Sequence, residues 1–167
     1  TGAQNTAVGA RSQESTTTGS DNTSIGWGSL IANTTGADNT ALGRSSLAGN
    51  TSGIQNTAVG RSALLAASTG SYNTAIGREA AKNITDGTFN TAVGRTTLTT
   101  LTTGDYNVAV GSQALNAATT SDNNVAVGLN AGLAVTTGAK NTLIGTLAGD
   151  TITTGGSNIF IGYDTDG

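Results

Sequence analysis

Aliphatic side chains return along this chain at a fixed interval of 17 residues, each flanked by the same small and polar neighbours. An Asn lies three residues before each of them and a Gly follows directly, as in segment 56–60, Asn-Thr-Ala-Val-Gly. The ten aliphatic positions, here called the aliphatic row, are Val8, Ile25, Leu42, Val59, Ile76, Val93, Val110, Val127, Ile144 and Ile161. A period this short, kept without insertion or deletion, predicts a solenoid in which each repeat forms one coil and stacks on its neighbours.

The order of residues within a repeat predicts two short strands and two turns. Helix is disfavoured because the repeats contain Gly between β-branched residues, and Gly in a helix interior costs about 1 kcal/mol relative to Ala. The first strand is expected from the Asn to the next Gly, and the second through segments such as 62–67, Ser-Ala-Leu-Leu-Ala-Ala. The predicted fold class is all-β: a parallel β-solenoid, or β-roll, of ten 17-residue coils with two short strands each. Residues 1–167 are expected to form a single array that is a segment of a longer fibrous protein.

The alternation of side chains along a strand predicts which rows face the interior. The residue after each Asn, most often Thr, has the same parity as the aliphatic row, so both rows are expected to point inward and to be buried. The Ala between them then points outward. Strands that are apolar on both sides need cover on both, and a parallel homotrimer would supply it. The alternative is a lone solenoid whose Ala row meets water.

One Asn per coil indicates a structural ladder rather than a binding site. Stacked amides can hydrogen-bond to each other and to the backbone of the turns, and every coil has the same need for such bonds. The ladder is predicted to comprise Asn5, Asn22, Asn39, Asn56, Asn73, Asn90, Asn107, Asn124, Asn141 and Asn158.

Composition narrows the possible functions. The chain contains no Cys and no His, so thiolate metal sites and an ordinary catalytic triad are excluded, and we expect neither an enzyme nor a cofactor or metal. The net charge of −3 argues against a nucleic-acid partner. No apolar run approaches the roughly 18 residues of a membrane span, so membrane insertion is not expected.

The repeat resembles a known class of surface proteins. Segment 56–60, Asn-Thr-Ala-Val-Gly, and its copies are similar to the head repeats of trimeric autotransporter adhesins and to the trimeric β-roll repeats of bacteriophage tail fibres. The resemblance covers all ten repeats and implies a homotrimeric shaft on a phage or bacterial surface. It also implies an extracellular, virion or cell-surface location and contact with polysaccharide on a host surface. The 17-residue spacing is longer than that of the usual adhesin-head coil.

Two short rows are candidates for ligand binding. Tyr72, Phe89 and Tyr106 precede the Asn in consecutive coils and could form a platform for sugar rings, or could simply stabilise the stack. Arg follows the strand Gly in four consecutive coils, at Arg44, Arg61, Arg78 and Arg95. Arg78 and Arg95 lie in coils that also carry an aromatic residue and could add charge beside the platform. This Arg row suits an acidic polysaccharide or phosphate, or is merely a solvated row of turn residues.

Two further functions compete with a fibre shaft. An extracellular filament subunit would stack end to end through unpaired strand edges. An ice-binding solenoid would order water on rows of Thr, but it needs two parallel outward rows in one strand. The sequence pattern predicts that one Thr row points inward, which places ice binding third.

Overall fold

Ten strands form one parallel sheet in the computed structural model, which describes residues 2–166 of the chain. Each strand pairs with the next in sequence, and each strand residue lies opposite the residue 17 positions later, as Thr57 does with Thr74. The strands are β1 (Thr6–Val8), β2 (Thr23–Ile25), β3 (Thr40–Leu42), β4 (Thr57–Val59), β5 (Thr74–Ile76), β6 (Thr91–Val93), β7 (Val108–Val110), β8 (Val125–Val127), β9 (Thr142–Ile144) and β10 (Ile159–Ile161). This topology confirms the predicted parallel β-solenoid. At about 4.8 Å per strand, the stack is about 48 Å long.

The second strand predicted in each coil is not formed. In its place the chain runs through tight turns, here called the turn segment, in which left-handed residues such as Ser62 and Leu64 have φ of 57° and 48°. These values lie outside the β region. The backbone still bonds between coils, since the Leu64 N–H donates to Ala80 O at 3.0 Å. The prediction was wrong because the apolar run in this segment reflects burial, which a turn can provide as well as a strand.

The two sides of the sheet also face the opposite way from the prediction. In β4, Ala58 is fully buried while Thr57 and Val59 are half-buried. The aliphatic row is exposed in most of the other coils, and Leu42 and Ile76 are 45% and 41% exposed. The prediction that the Thr and aliphatic rows are buried was therefore wrong, as was the outward placement of the Ala row.

The interior is narrow, and large side chains enter it mainly from the turn segment. Leu47 and Leu64 are fully buried there, so the strands that face them have room only for Ala. Near the C-terminal end, the large buried side chain comes from a strand and the small residues lie in the turn segment. The turn segment has Gly132 and Gly149, and the buried Leu143 comes from β9 instead. A Cβ on Gly132 or Gly149 would lie 2.6 or 2.7 Å from a Leu143 methyl carbon, so Leu143 occupies the space that these glycines leave.

Close contact between coils explains the Gly that follows each strand. Gly60 has φ of 129°, and a Cβ added to it would lie 2.6 Å from the carbonyl oxygen of Gly77 in the next coil. Both the backbone conformation and the approach of the neighbouring coil therefore exclude a side chain. No helix that could span a membrane occurs in residues 2–166.

Candidate binding surfaces

The Asn side chains form a hydrogen-bonded ladder inside the stack. In a central coil, Asn73 Nδ2 donates to Asn56 Oδ1 at 3.2 Å and to Gly87 O at 2.8 Å. Its Oδ1 accepts from the backbone N and from Nδ2 of Asn90, at 2.9 and 3.2 Å. Both amide hydrogens and both lone pairs of Asn73 are thus used within the protein. In the central coils the ladder is part of the scaffold, and an Asn such as Asn73 has no free group to offer a ligand.

Two rows of side chains point outward from the sheet, and together they are called the strand face. One is the aliphatic row. The other holds the residue after each Asn: Thr6, Thr23, Thr40, Thr57, Thr74, Thr91, Val108, Val125, Thr142 and Ile159. Neither row contains a charged or amide side chain. The result is a continuous strip of hydroxyl, methyl and larger aliphatic groups that repeats about every 4.8 Å.

The aromatic run, Tyr72, Phe89 and Tyr106, is a stack of parallel rings. The ring centroids of Tyr72 and Phe89 are 4.7 Å apart, those of Phe89 and Tyr106 are 5.1 Å apart, and the interplanar angles are 0° and 2°. The rings cover each other's faces, so the exposed 44% of Phe89 is mainly ring edge. Because each aromatic residue precedes an Asn, the run borders the Thr side of the strand face.

The Arg row borders the opposite side, two residues beyond the aliphatic row. All four of its members are exposed: Arg44, Arg61, Arg78 and Arg95. Arg78 pairs with Glu79 at 3.2 Å. The Arg44 guanidinium lies 5.2 Å from the ring centroid of Trp27, which occupies the same place in the preceding coil. Such a contact is within the range of a cation–π interaction.

The aromatic run and the Arg row therefore lie on opposite sides of the strand face. The structure does not place Tyr72, Phe89 and Tyr106 in one site with Arg78 and Arg95. Six residues separate Tyr72 from Arg78, about 20 Å if they were extended. Residues 2–166 enclose no pocket either, so any ligand of this region would lie on an open surface.

Among residues 2–166, three carboxylates near the C-terminal end are the only cluster of three or more acidic side chains close enough together to hold a metal ion. Oxygens of Asp150, Asp164 and Asp166 lie within 4.8 Å of one another. Partial burial raises the pKa of Asp150 above its ordinary value, and the charges of Asp166 and Asp164 raise it further. The sequence analysis missed this cluster. Exposed acidic groups are common without a metal ion, and the three carboxylates suggest no particular chemistry.

The strand face is the surface that sequence reasoning missed. A signal for it was available, because Asn56 was expected to be buried and Ala58, two residues later, shares its parity. Consistent use of that alternation would have placed Thr57 and Val59 outside. The greater hydrophobicity of Val misled the prediction.

Comparisons of the chain with protein-family models, with curated proteins and with solved structures gave no match. The fold and its surfaces are therefore the basis for proposing a function.

Proposed function

We propose that the chain is a rigid shaft segment of a homotrimeric surface fibre, of the phage tail-fibre or bacterial adhesin kind that its repeats resemble. The observation that carries this proposal is the strand face, an uncharged strip that runs the length of ten stacked strands. In a homotrimer this face would pack against the sister chains and the flanking rows would remain at its margins. The protein would act outside the cell or on a virion.

The geometry of the strand face suits a second copy of the chain. It is about 48 Å long and about 10 Å wide, or roughly 500 Å². The three strand faces of a homotrimer would together bury about 1,500 Å², shared among three pairwise contacts. A partner must also contact a surface that repeats at every strand. Another copy of this chain matches this spacing because it has the same repeat.

Mass measurement on matched variants tests the assembly. We expect native mass spectrometry to detect three chains of 16.3 kDa each for the wild type. A double variant, Val59→Lys with Ile76→Lys, places charges on the middle of the strand face and should be a folded monomer by circular dichroism. The control, Ser52→Lys with Asn83→Lys, adds the same charge at exposed positions away from the face and should remain trimeric. A monomeric wild type would contradict the proposal, and open-ended polymers would favour the filament alternative.

Ice binding is a second candidate, favoured by one observation. The Thr row, expected to face inward, points outward beside the aliphatic row in the same strand, as Thr57 and Val59 do in β4. Ice binding requires two outward rows of this kind. It would leave the chain monomeric with an open strand face, and the wild type would then arrest ice growth in a thermal-hysteresis assay. A wild-type trimer without thermal hysteresis would exclude it.

Contact with host-surface polysaccharide completes the proposed role. Tyr72, Phe89 and Tyr106 remain proposed as an aromatic contact surface, with Arg78 and Arg95 as separate charged contacts. Replacing the three aromatic residues together by Ala should preserve the fold and remove binding on a glycan array. Because the rings stack on one another, a sugar would have to contact their edges or the outer faces of the terminal rings. Unchanged binding by the triple variant would exclude the aromatic run from the contact.

A further inference from the structure

Positive charge is concentrated on one line of this acidic protein. The chain has seven Lys and Arg residues, and four of them form the Arg row on consecutive coils. Among residues 2–166, Arg44, Arg61 and Arg95 form no ion pair. Arg78 forms one, with the carboxylate of Glu79. The Arg row is therefore a local positive strip on a chain whose net charge is −3.

The backbone fixes the spacing of this strip. The carbonyl oxygen of Arg61 accepts from the Glu79 N–H at 2.9 Å, and that of Arg78 accepts from the Thr96 N–H at 3.0 Å. Bonds of this kind join each Arg to the next coil, so successive Arg residues are about 4.8 Å apart along the rod. Like charges at this spacing repel one another, and a polymer with regularly spaced negative charges would relieve the repulsion.

We propose that the Arg row binds a linear acidic polysaccharide laid along the rod, with successive carboxylate or sulfate groups on successive guanidinium groups. Guanidinium forks match carboxylate and sulfate oxygens in geometry and remain charged at all physiological pH values. The inference rests on the polysaccharide contact proposed above and names its ligand class, but it does not depend on trimer formation.

Binding to defined polymers tests the inference. Polygalacturonate supplies carboxylates, dextran sulfate supplies sulfates, and neutral dextran is the control polymer. The test variant is Arg61→Gln with Arg95→Gln, and the matched control is Lys82→Gln with Lys140→Gln. Each removes two cations and changes the net charge from −3 to −5. Other coils have Ser112 and Thr146 in the place of the Arg, so the fold tolerates an uncharged residue there, and circular dichroism checks this.

We expect the wild type to bind at least one acidic polymer at low salt, more weakly at high salt, and not to bind dextran. Loss of each exposed Arg should weaken binding about two- to fivefold, so the double Arg variant should lose about 4- to 25-fold. The double Lys variant should lose less than about twofold. Glu79→Gln should tighten binding because it removes the carboxylate that competes for Arg78.

Three results would overturn the inference: no binding of the wild type to either acidic polymer, an equal loss in the Lys and Arg variants, or weaker binding by Glu79→Gln. Native mass measured on the same samples separates this inference from the shaft proposal. A wild type that is trimeric but binds neither acidic polymer overturns the polysaccharide site and leaves the shaft proposal standing. A monomer that binds them through the Arg row overturns the trimeric shaft alone.

Discussion

The two sides of the same sheet differ in what they contribute. In β5, Ala75 on the inner side is fully buried, whereas Ile76 on the outer side is 41% exposed. The inner side also carries the Asn ladder, whose polar groups are paired within the protein. Over most of its length the sheet therefore has small and amide side chains on its inner side, while most residues of the aliphatic row are exposed. Hydrophobicity alone does not identify the stabilising side of a thin solenoid.

The largest expected effect is a charge on the inner side. Ala58→Asp would bury a carboxylate without a partner and should lower the free energy of unfolding by at least about 4 kcal/mol. Val59→Asp, one residue later on the outer side, should lower it by less than about 1 kcal/mol in the dissociated chain. Urea denaturation at low protein concentration compares the two. An equal loss would mean that the sides do not differ as described.

Removing one amide from the ladder should have the next largest effect. Asn73→Ala leaves the Gly87 carbonyl and the Asn90 amide groups without their partners. We expect a loss of about 3 kcal/mol, since each unpaired buried group costs about 1–3 kcal/mol and the coils can relax in part. Asn83→Ala changes an exposed Asn and should cost less than about 0.5 kcal/mol. Thermal unfolding of the two variants gives the difference, and similar melting temperatures would contradict a structural role for the ladder.

A cavity on the inner side should cause the third largest loss in the free energy of unfolding. Leu143→Ala empties the space beside Gly132 and Gly149, where no side chain from the turn segment can replace it. We expect a loss of about 2.5 kcal/mol, at the lower end of the range for buried Leu because the end of the stack can collapse. Ile144→Ala changes the next residue, which is 38% exposed, and should cost about 1 kcal/mol or less. Chemical denaturation of both variants should therefore rank them in this order, and the reverse ranking would contradict it.

The smallest effect concerns a carboxylate that belongs to neither side of the sheet. Partial burial, then the charges of Asp166 and Asp164, raise the pKa of Asp150 above its ordinary value of 3.8. Ionisation of this group therefore opposes folding, so the stability that is lost above the raised pKa returns as the pH falls toward 3.8. Asp150→Asn should be slightly more stable than the wild type near neutral pH, with the gain fading in acid. Melting temperatures across this pH range test it, and a gain independent of pH would contradict the assignment.

The repeat was sufficient to predict the solenoid, because a strict 17-residue period allows few other folds. It was not sufficient to predict the backbone of the turn segment. Leu64 is an apolar residue in an apolar run, and nothing in its identity indicates a φ of 48°. The orientation of Val59 could have been derived from the burial of Asn56, but size and hydrophobicity pointed the other way. The separation of Tyr72 from Arg78 did follow from the sequence, because a spacing of six residues corresponds to about 20 Å of extended chain.

In the homotrimer proposed above, the uniform register of the sheet would affect how copies of the chain align along the rod. A rod with identical strands can slide along its copy by one whole coil and meet nearly the same face again. Only departures from the repeat can tell one axial position from another. The aromatic run and the Arg row are such departures on the surface, and the Arg row begins two coils before the aromatic run. These positions distinguish one axial alignment of neighbouring chains from another. Exchanging whole coils should therefore preserve the fold and shift the alignment of the chains along the rod.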